Sequence, residues 1–292
     1  MIHNVNEPVS AVDLLTSARA DHRGVAAMNV IQLEHAEAVV AGAERTRQPV
    51  FLQISQNTVR YHGSLAPLAL AALRIAEESA VPVVVHLDHA TDVELVQQAV
   101  ELGVTSVMYD ASTLPHDANV TATADVAAWC HDRGVTVEAE LGEVGGKDGV
   151  HAAGARTDPD EAARYVAATG VDSLAVAVGS SHAMLTRDAE LDDGLIRALA
   201  ASVPVPLVLH GSSGVPDAGL VSAVAAGMTK VNIATHLNAA MTEQVRAALA
   251  ADAALVDPRK YLGPGRAAVA TEVARLLDLL ARGEGGDDRE RA

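Results

Sequence analysis

The stretch Pro82-Val83-Val84-Val85-His86-Leu87-Asp88-His89 (PVVVHLDH) decides how the chain folds. It begins as a buried strand. Proline is tolerated at a first strand position, and three valines in a row suit a strand covered on both faces. It ends with two imidazoles and a carboxylate among four residues, and such groups are buried only when they find partners. An apolar strand finished in this way carries ionisable groups through a core to one end of a sheet.

Other runs of the same kind surround it. They are Val25–Val30 (VAAMNV), Pro49–Ile54 (PVFLQI), Thr105–Tyr109 (TSVMY), Val135–Leu141 (VTVEAEL), Ser173–Val178 (SLAVAV), Pro206–Leu209 (PLVL) and Lys230–Ile233 (KVNI). With Pro82–Leu87 they make eight. Between them lie segments rich in Ala, Leu and Glu, such as Leu33–Arg47, Pro67–Ser79 and Asp188–Ala201. Repeated strand–helix alternation implies a parallel sheet, and eight units in a chain of 292 residues imply a closed (β/α)8 TIM barrel. The main competitor is an open, doubly wound sheet. Nothing marks a domain boundary, so residues 1–292 are expected to form a single α/β barrel domain. Val9–Arg19 is expected as a helix closing its bottom, and the polar tail Gly283–Ala292 is expected to fray.

Composition narrows the partners. Hydrophobic residues make up 49% and charged residues 20%, a soluble globular balance. Aromatics are only 2%, so the core must be built from Ala, Val, Leu and Ile. The formal net charge of −17 argues against nucleic acid and anionic membrane as partners. An anionic substrate would need local positive potential from a metal, backbone N–H groups or one of the few cations. The single cysteine, Cys130, excludes a disulfide framework and reads as a small core residue. No leader and no apolar run of about 18 residues is visible, so a cytoplasmic location is expected.

The polar residues fall where the strands end: Asn29, Ser55, Asp88 with His89, Asp110, Glu140, His182, His210 and Asn232. In a (β/α)8 barrel these ends meet on the rim that carries the active site. One histidine at a strand end is ordinarily a hydrogen-bonded rim residue. Three at equivalent positions, His89, His182 and His210, suggest imidazole ligands of a catalytic Zn²⁺ with an open fourth position. Glu138 and Glu140 alternate with apolar neighbours and point into the barrel, where each requires a metal, a ligand histidine or a cation as partner. Lys230 is a candidate for an interior ion pair. Gly211-Ser212-Ser213-Gly214 and Asn232-Ile233-Ala234-Thr235 follow strands seven and eight, where small residues and a helix start can cradle a phosphate.

With these residues in view, the chain resembles the class II, metal-dependent ketose-bisphosphate aldolases of the fructose- and tagatose-bisphosphate group. The likeness runs from about Ala11 to Ala270. It rests on NVIQLEHAEAVVAGAE (29–44), PVFLQIS (49–55), HLDH (86–89), SVMYDAS (106–112), VEAELGEVGG (137–146), TGVDSLAVAVGSSH (169–182), LVLHGSSG (207–214), KVNIATHLN (230–238) and DPRKYLGPGR (257–266). The resemblance implies one zinc ion per subunit on His89, His182 and His210, and leaves open a monovalent cation. It makes Asp88 the catalytic acid/base and places Glu140 near the metal. Asp110 and Ser112 are implied to orient the ligands. Asn29, Ser55, Gly211, Ser212, Ser213, Asn232, Ile233, Ala234 and Thr235 are implied to bind substrate. Arg259 is implied to reach a second phosphate from a neighbouring subunit of a homodimer or homotetramer. The implied substrate is a phosphorylated ketose, cleaved in carbohydrate metabolism, glycolysis included.

The chain also departs from that pattern. Ala183 follows His182 where the family has Gly. The segment after strand five is short and reads Gly145-Gly146-Lys147-Asp148 where the family carries a proton-transferring Glu, so Asp148 is the expected stand-in and Glu143 the reserve. Ala234 stands where fructose-type enzymes tend to carry Asp and tagatose-type enzymes Ala, and His236 replaces a common acidic residue. A zinc hydrolase on the same barrel, or a barrel that binds sugar phosphate without catalysis, are the alternative readings. A Schiff-base aldolase would need a buried lysine in strand six, and SLAVAVG has none.

Overall fold

The computed structural model describes residues 9–141, 156–180 and 187–281. Its strands are β1 (Val25–Asn29), β2 (Val50–Ser55), β3 (Val83–Ala90), β4 (Ser106–Tyr109), β5 (Thr136–Glu140), β6 (Ser173–Ala175), β7 (Leu207–Leu209) and β8 (Met228–Ile233). All neighbours pair in parallel, and β1 pairs with β8, which closes the barrel. The outer helices are α1 (Ala11–Ala20), α2 (Leu33–Thr46), α3 (Gln56–His62), α4 (Ala66–Glu78), α5 (Val93–Glu101), α6 (His116–His131), α7 (Pro159–Thr169), α8 (Asp193–Ser202), α9 (Asp217–Ala226), α10 (Thr235–Ala251) and α11 (Pro258–Leu280). The expected closed barrel is therefore observed and the open sheet is excluded.

Local chemistry explains the boundaries. Pro49, Pro82 and Pro206 each stand one residue before their strand, where a missing N–H breaks no ladder bond. Side chains of Ser10, Ser55, Asp92, Asp158, Asp192 and Asp257 cap helix starts by accepting first-turn N–H groups. The expected strand Ser173–Val178 stops at Ala175. Beyond it Thr157 takes over the pairing: its amide donates to the Ala177 carbonyl, and its hydroxyl accepts from the Ala177 amide. The helix expected over Asp188–Ala201 begins later, at Asp193.

Helix α1 closes the bottom as expected. Its Ala11, Leu15 and Ala18 pack against Val25, Ala27, Phe51 and Val84, the inward residues of the first halves of β1, β2 and β3. Cys130 is fully buried in the helix-on-strand core. Helices α2, α10 and α11 interlock closely. At Gly42 of α2 an added Cβ would lie 2.6 Å from a Val273 methyl of α11, so only glycine permits that approach. Among the described residues no helix is long and apolar enough to cross a membrane.

Candidate active site

Strand β3 delivers its ionisable end to the rim, as its sequence suggests, but not as a regular strand. Strict alternation would send Asp88 and His89 to opposite faces. The β3–β4 register shifts between Leu87 and Ala90, and His89 takes a left-handed backbone with φ of 50°. This bulge turns His89 back toward the barrel mouth, beside Asp88. Donor atoms of Asp88, His89 and His210 lie within 4.8 Å of one another, as do those of His89, Asp110 and Glu140. The two groups share His89. The imidazole rings of His89 and His210 meet edge to face at 4.7 Å.

Each ring is held from behind. His89 Nδ1 is 2.9 Å from Asp110 Oδ2, while Asp110 Oδ1 accepts from both the Ser112 amide and its hydroxyl, at 3.1 and 2.6 Å. His210 Nε2 donates to Glu138 Oε1 at 3.1 Å, and Glu138 Oε2 accepts from Lys230 Nζ at 2.7 Å. This chain of buried groups assigns the proton of neutral His210 to Nε2. It turns Nδ1, 3.7 Å from Glu140 Oε2, into the lone-pair nitrogen. The interior ion pair expected for Lys230 and the partner expected for Glu138 are thus one structure.

Electrostatics follow the geometry. Burial raises the Glu138 carboxyl, but Lys230 and His210 outweigh it and hold the group below its ordinary range. Glu140 is raised well above the ordinary range by burial and then by Asp110. Burial disfavours a charged His89, yet Asp88, Asp110 and Glu140 overcome this and push the imidazole up to about 10. His210, fully enclosed, is lowered by burial and favours the neutral form. The rim therefore concentrates negative charge around one imidazole and keeps the other neutral, which suits a divalent cation held by N and O donors.

The remaining expected site residues distribute as follows. Asn232, on β8, places its side-chain amide 3.5 Å from Asp88 Oδ1. Its own Oδ1 is buried and has no hydrogen-bond partner among the described residues. Ser212 donates to the Asn232 carbonyl at 2.5 Å and ties the loop after β7 to the end of β8. Gly211 takes a left-handed backbone, φ 68°, to turn that loop, and Ser213 O faces His236 Nε2 at 3.3 Å. Ile233 ends β8, and Ala234 and Thr235 lead into α10, whose start has no side-chain cap. Asn29 Oδ1 accepts from Gln53 Nε2 at 2.5 Å. Ser55 caps α3 by accepting the Thr58 amide at 3.2 Å. Arg259 is 88% exposed at the start of α11 and paired with Asp257. His182, Ala183, Asp148 and Glu143 lie outside the described residues.

Four residues belong to this interior and are absent from the expected ligand and substrate contacts. Gln53 is buried against Asn29. His86 Nδ1 lies 2.8 Å from Ser106 Oγ, in hydrogen-bond contact. Asn119 and Tyr165 reach the carbonyls at the end of β5. Gln53 and His86 share the inward parity of Ser55 and Asp88 along their strands, which is the signal that exposes them. The helix residues carry no such signal.

Comparison with known proteins agrees. Residues 9–284 match the family described as fructose-bisphosphate aldolase class-II. A fructose-bisphosphate aldolase from Geobacillus stearothermophilus is 37% identical over 281 residues, covering 94% of this chain and 98% of that protein. One from Giardia intestinalis is 34% identical over 302 residues, covering 94% and 93%. The crystal structure of the YdjI aldolase from Escherichia coli K12 superposes with a TM-score of 0.82 at 30% identity, covering 94% of this chain and 97% of that one. On this sequence match, with a closed barrel whose rim gathers imidazoles and carboxylates, the chain belongs to the class-II fructose-bisphosphate aldolase family.

Proposed function

We propose that this chain is a zinc-dependent aldolase. It would cleave a ketose (bis)phosphate reversibly to dihydroxyacetone phosphate and an aldehyde, which is glyceraldehyde 3-phosphate if the substrate is fructose or tagatose 1,6-bisphosphate. The observation that carries this reading is the meeting of Asp88, His89 and His210 donor atoms within 4.8 Å, at the barrel end that also bears the Gly211–Ser213 and Asn232–Thr235 segments. His89, His182 and His210 are the proposed ligands. A neutral His210 whose Nε2 is already committed to Glu138 supports that assignment. A divalent ion bound there supplies Lewis-acid polarisation of the ketose carbonyl.

The protein's own residues do the rest. Asp88 takes the proton of the C4 hydroxyl, and the C3–C4 bond breaks to release the aldehyde. The electron pair stays on the three-carbon half as an enediolate. Asn232, whose amide nitrogen is 3.5 Å from Asp88 Oδ1, is proposed to orient that carboxylate and to face the developing charge. Asp148 is proposed to return a proton to C3. Glu140 and Asp110 hold the imidazoles in place and balance the cluster's charge. The phosphate is proposed to sit on the backbone of Gly211–Ser213 and at the uncapped start of α10, where N–H groups and the helix dipole favour an anion. Arg259, exposed, is proposed to meet the second phosphate of a neighbouring subunit in a homodimer or homotetramer. A cytoplasmic location completes the reading.

A coupled assay on the purified protein tests it. Fructose 1,6-bisphosphate, tagatose 1,6-bisphosphate and fructose 1-phosphate are compared with and without chelator. The expected result is triose phosphate formation that chelation abolishes and Zn²⁺ restores. Activity that survives complete metal removal would exclude the mechanism.

A further inference from the structure

The far end of β5 is held from outside the barrel. After Ala139, β4 no longer pairs with β5, because the register ends at Tyr109↔Ala139. The carbonyls of Glu140 and Leu141 therefore need other donors, since buried backbone oxygens are seldom left bare. Asn119, from α6 and fully buried, provides both. Its Nδ2 donates to Glu140 O at 3.2 Å and to Leu141 O at 2.9 Å. Its Oδ1 in turn accepts from Thr123 Oγ1 at 2.9 Å and from Tyr165 Oη, on α7, at 2.8 Å. Both hydrogens and both lone pairs of this one amide are used. Tyr165 is 1% exposed, and its hydroxyl also stands 3.5 Å from Glu140 O.

A full hydrogen-bond complement fixes the amide in one orientation. That orientation fixes the last carbonyl of β5, at Glu140, and the next one, at Leu141. Glu140 has no slack, because its carboxylate is fully buried and belongs to the cluster with His89 and Asp110. Leu141 is the last described residue before 142–155, the segment that contains Asp148.

We infer that Asn119, Thr123 and Tyr165 are positioning residues for the reaction: a buried lock between α6 and α7 that sets the Glu140 carboxylate against the metal-binding imidazoles. The inference rests on the metal reading of the rim. It adds that the precision of the metal site is set partly by two helices that contribute no ligand. Groups that orient a ligand shell typically change affinity or activity by about 10–100-fold when removed.

The test compares Tyr165→Phe and Thr123→Val with Thr169→Val. Thr169 lies on the same helix as Tyr165 and is buried. Among the described residues its hydroxyl bonds only the Tyr165 backbone carbonyl, so its loss perturbs α7 without removing a side-chain bond of the lock. Metal-stripped proteins are titrated with Zn²⁺ by calorimetry, and Tm, kcat and KM are measured on the loaded enzymes. Tyr165→Phe is expected to weaken Zn²⁺ binding and lower kcat by about 10-fold each, with KM nearly unchanged. Thr123→Val should shift the same two quantities less, and Thr169→Val should lower Tm alone. Wild-type Zn²⁺ affinity and kcat in Tyr165→Phe, with only Tm reduced, would overturn the inference and leave the metal reading intact. A wild-type protein that takes up no divalent ion would overturn both. If Tyr165→Phe does not fold, Thr123→Val decides by the same criteria.

Discussion

The two halves of the barrel interior are made of the same alternating strand positions and have opposite chemistry. In the lower half, inward positions are Val25, Ala27, Phe51 and Val84, sealed from below by Leu15 and its neighbours on α1. One or two positions further along the same strands, the inward residues are Asn29, Gln53, His86 and Asp88. Glu138, Glu140, His210, Lys230 and Asn232 join them from the other side, every one of these last five buried. Phe51, the only phenylalanine, is the floor between the halves. Lys230 Nζ stands 5.7 Å from its ring centre, and His86 meets it edge-on. The lower half is a dry plug of the kind that stabilises any such barrel. The upper half is a polar network that costs desolvation at every member and is tolerated only because its partners interlock. Stability and chemistry are thus separated by depth along one axis.

Substitutions at different depths should break this division in different ways. The largest effect is expected at the mouth. Asp88→Asn should lower kcat by about 10²–10⁴-fold with Tm almost unchanged, because in the proposed mechanism proton transfer depends on that carboxylate and the fold does not. A fully active Asp88→Asn would remove Asp88 from the mechanism. Next comes Lys230→Met, which should harm both properties. It leaves Glu138 buried without its cation, a loss of about 3–5 kcal/mol in chemical denaturation, and it loosens His210 enough to weaken Zn²⁺ binding measurably. Unchanged metal affinity would show that the ion pair is structural only. Leu15→Ala, beneath the plug, should cost about 2–5 kcal/mol of stability while kcat per folded molecule stays at the wild-type level.

The smallest expected effect is a pH dependence. Burial, then Lys230, depresses the folded-state pKa of His86 well below its usual 6.5. The unfolded chain therefore binds this proton first. The stability contributed by a neutral His86 is complete above pH 6.5 and declines as pH falls below it. The decline of Tm on the acid side of pH 6.5 should accordingly be shallower in His86→Gln than in the wild type. Parallel profiles would assign the acid sensitivity to other groups.

Much of this was legible in the sequence. Eight β-rich runs with intervening helical segments imply the closed barrel, and inward parity points Glu138 and Glu140 into its interior, while the pairing of Glu138 with Lys230 appears only in the folded structure. The strand-end rule brings Asp88, His89, His210 and Asn232 to one rim. What could not be read depends on partners distant along the chain. No pattern in HLDH announces a bulge at His89. Without it, adjacent residues would face opposite ways. The sequence does not show that α3 begins at the residue after Ser55 and uses its oxygen as a cap. Asn119 and Tyr165 sit in ordinary amphipathic helices, and only the folded arrangement brings them to the end of β5. Arg259 carries no sign in this single chain of the role given to it, since its partner here is Asp257.

The left-handed backbone at His89 has an evolutionary consequence. Glycine and asparagine accept that conformation readily, whereas valine or isoleucine would resist it. A descendant that abandoned the metal proposed for His89 could replace that residue with asparagine and keep the shape of its third strand intact. Loss of catalysis by that route would leave a folded, silent barrel. Replacement by a branched aliphatic residue would distort the strand end itself, so the two kinds of change at one codon should leave very different survivors.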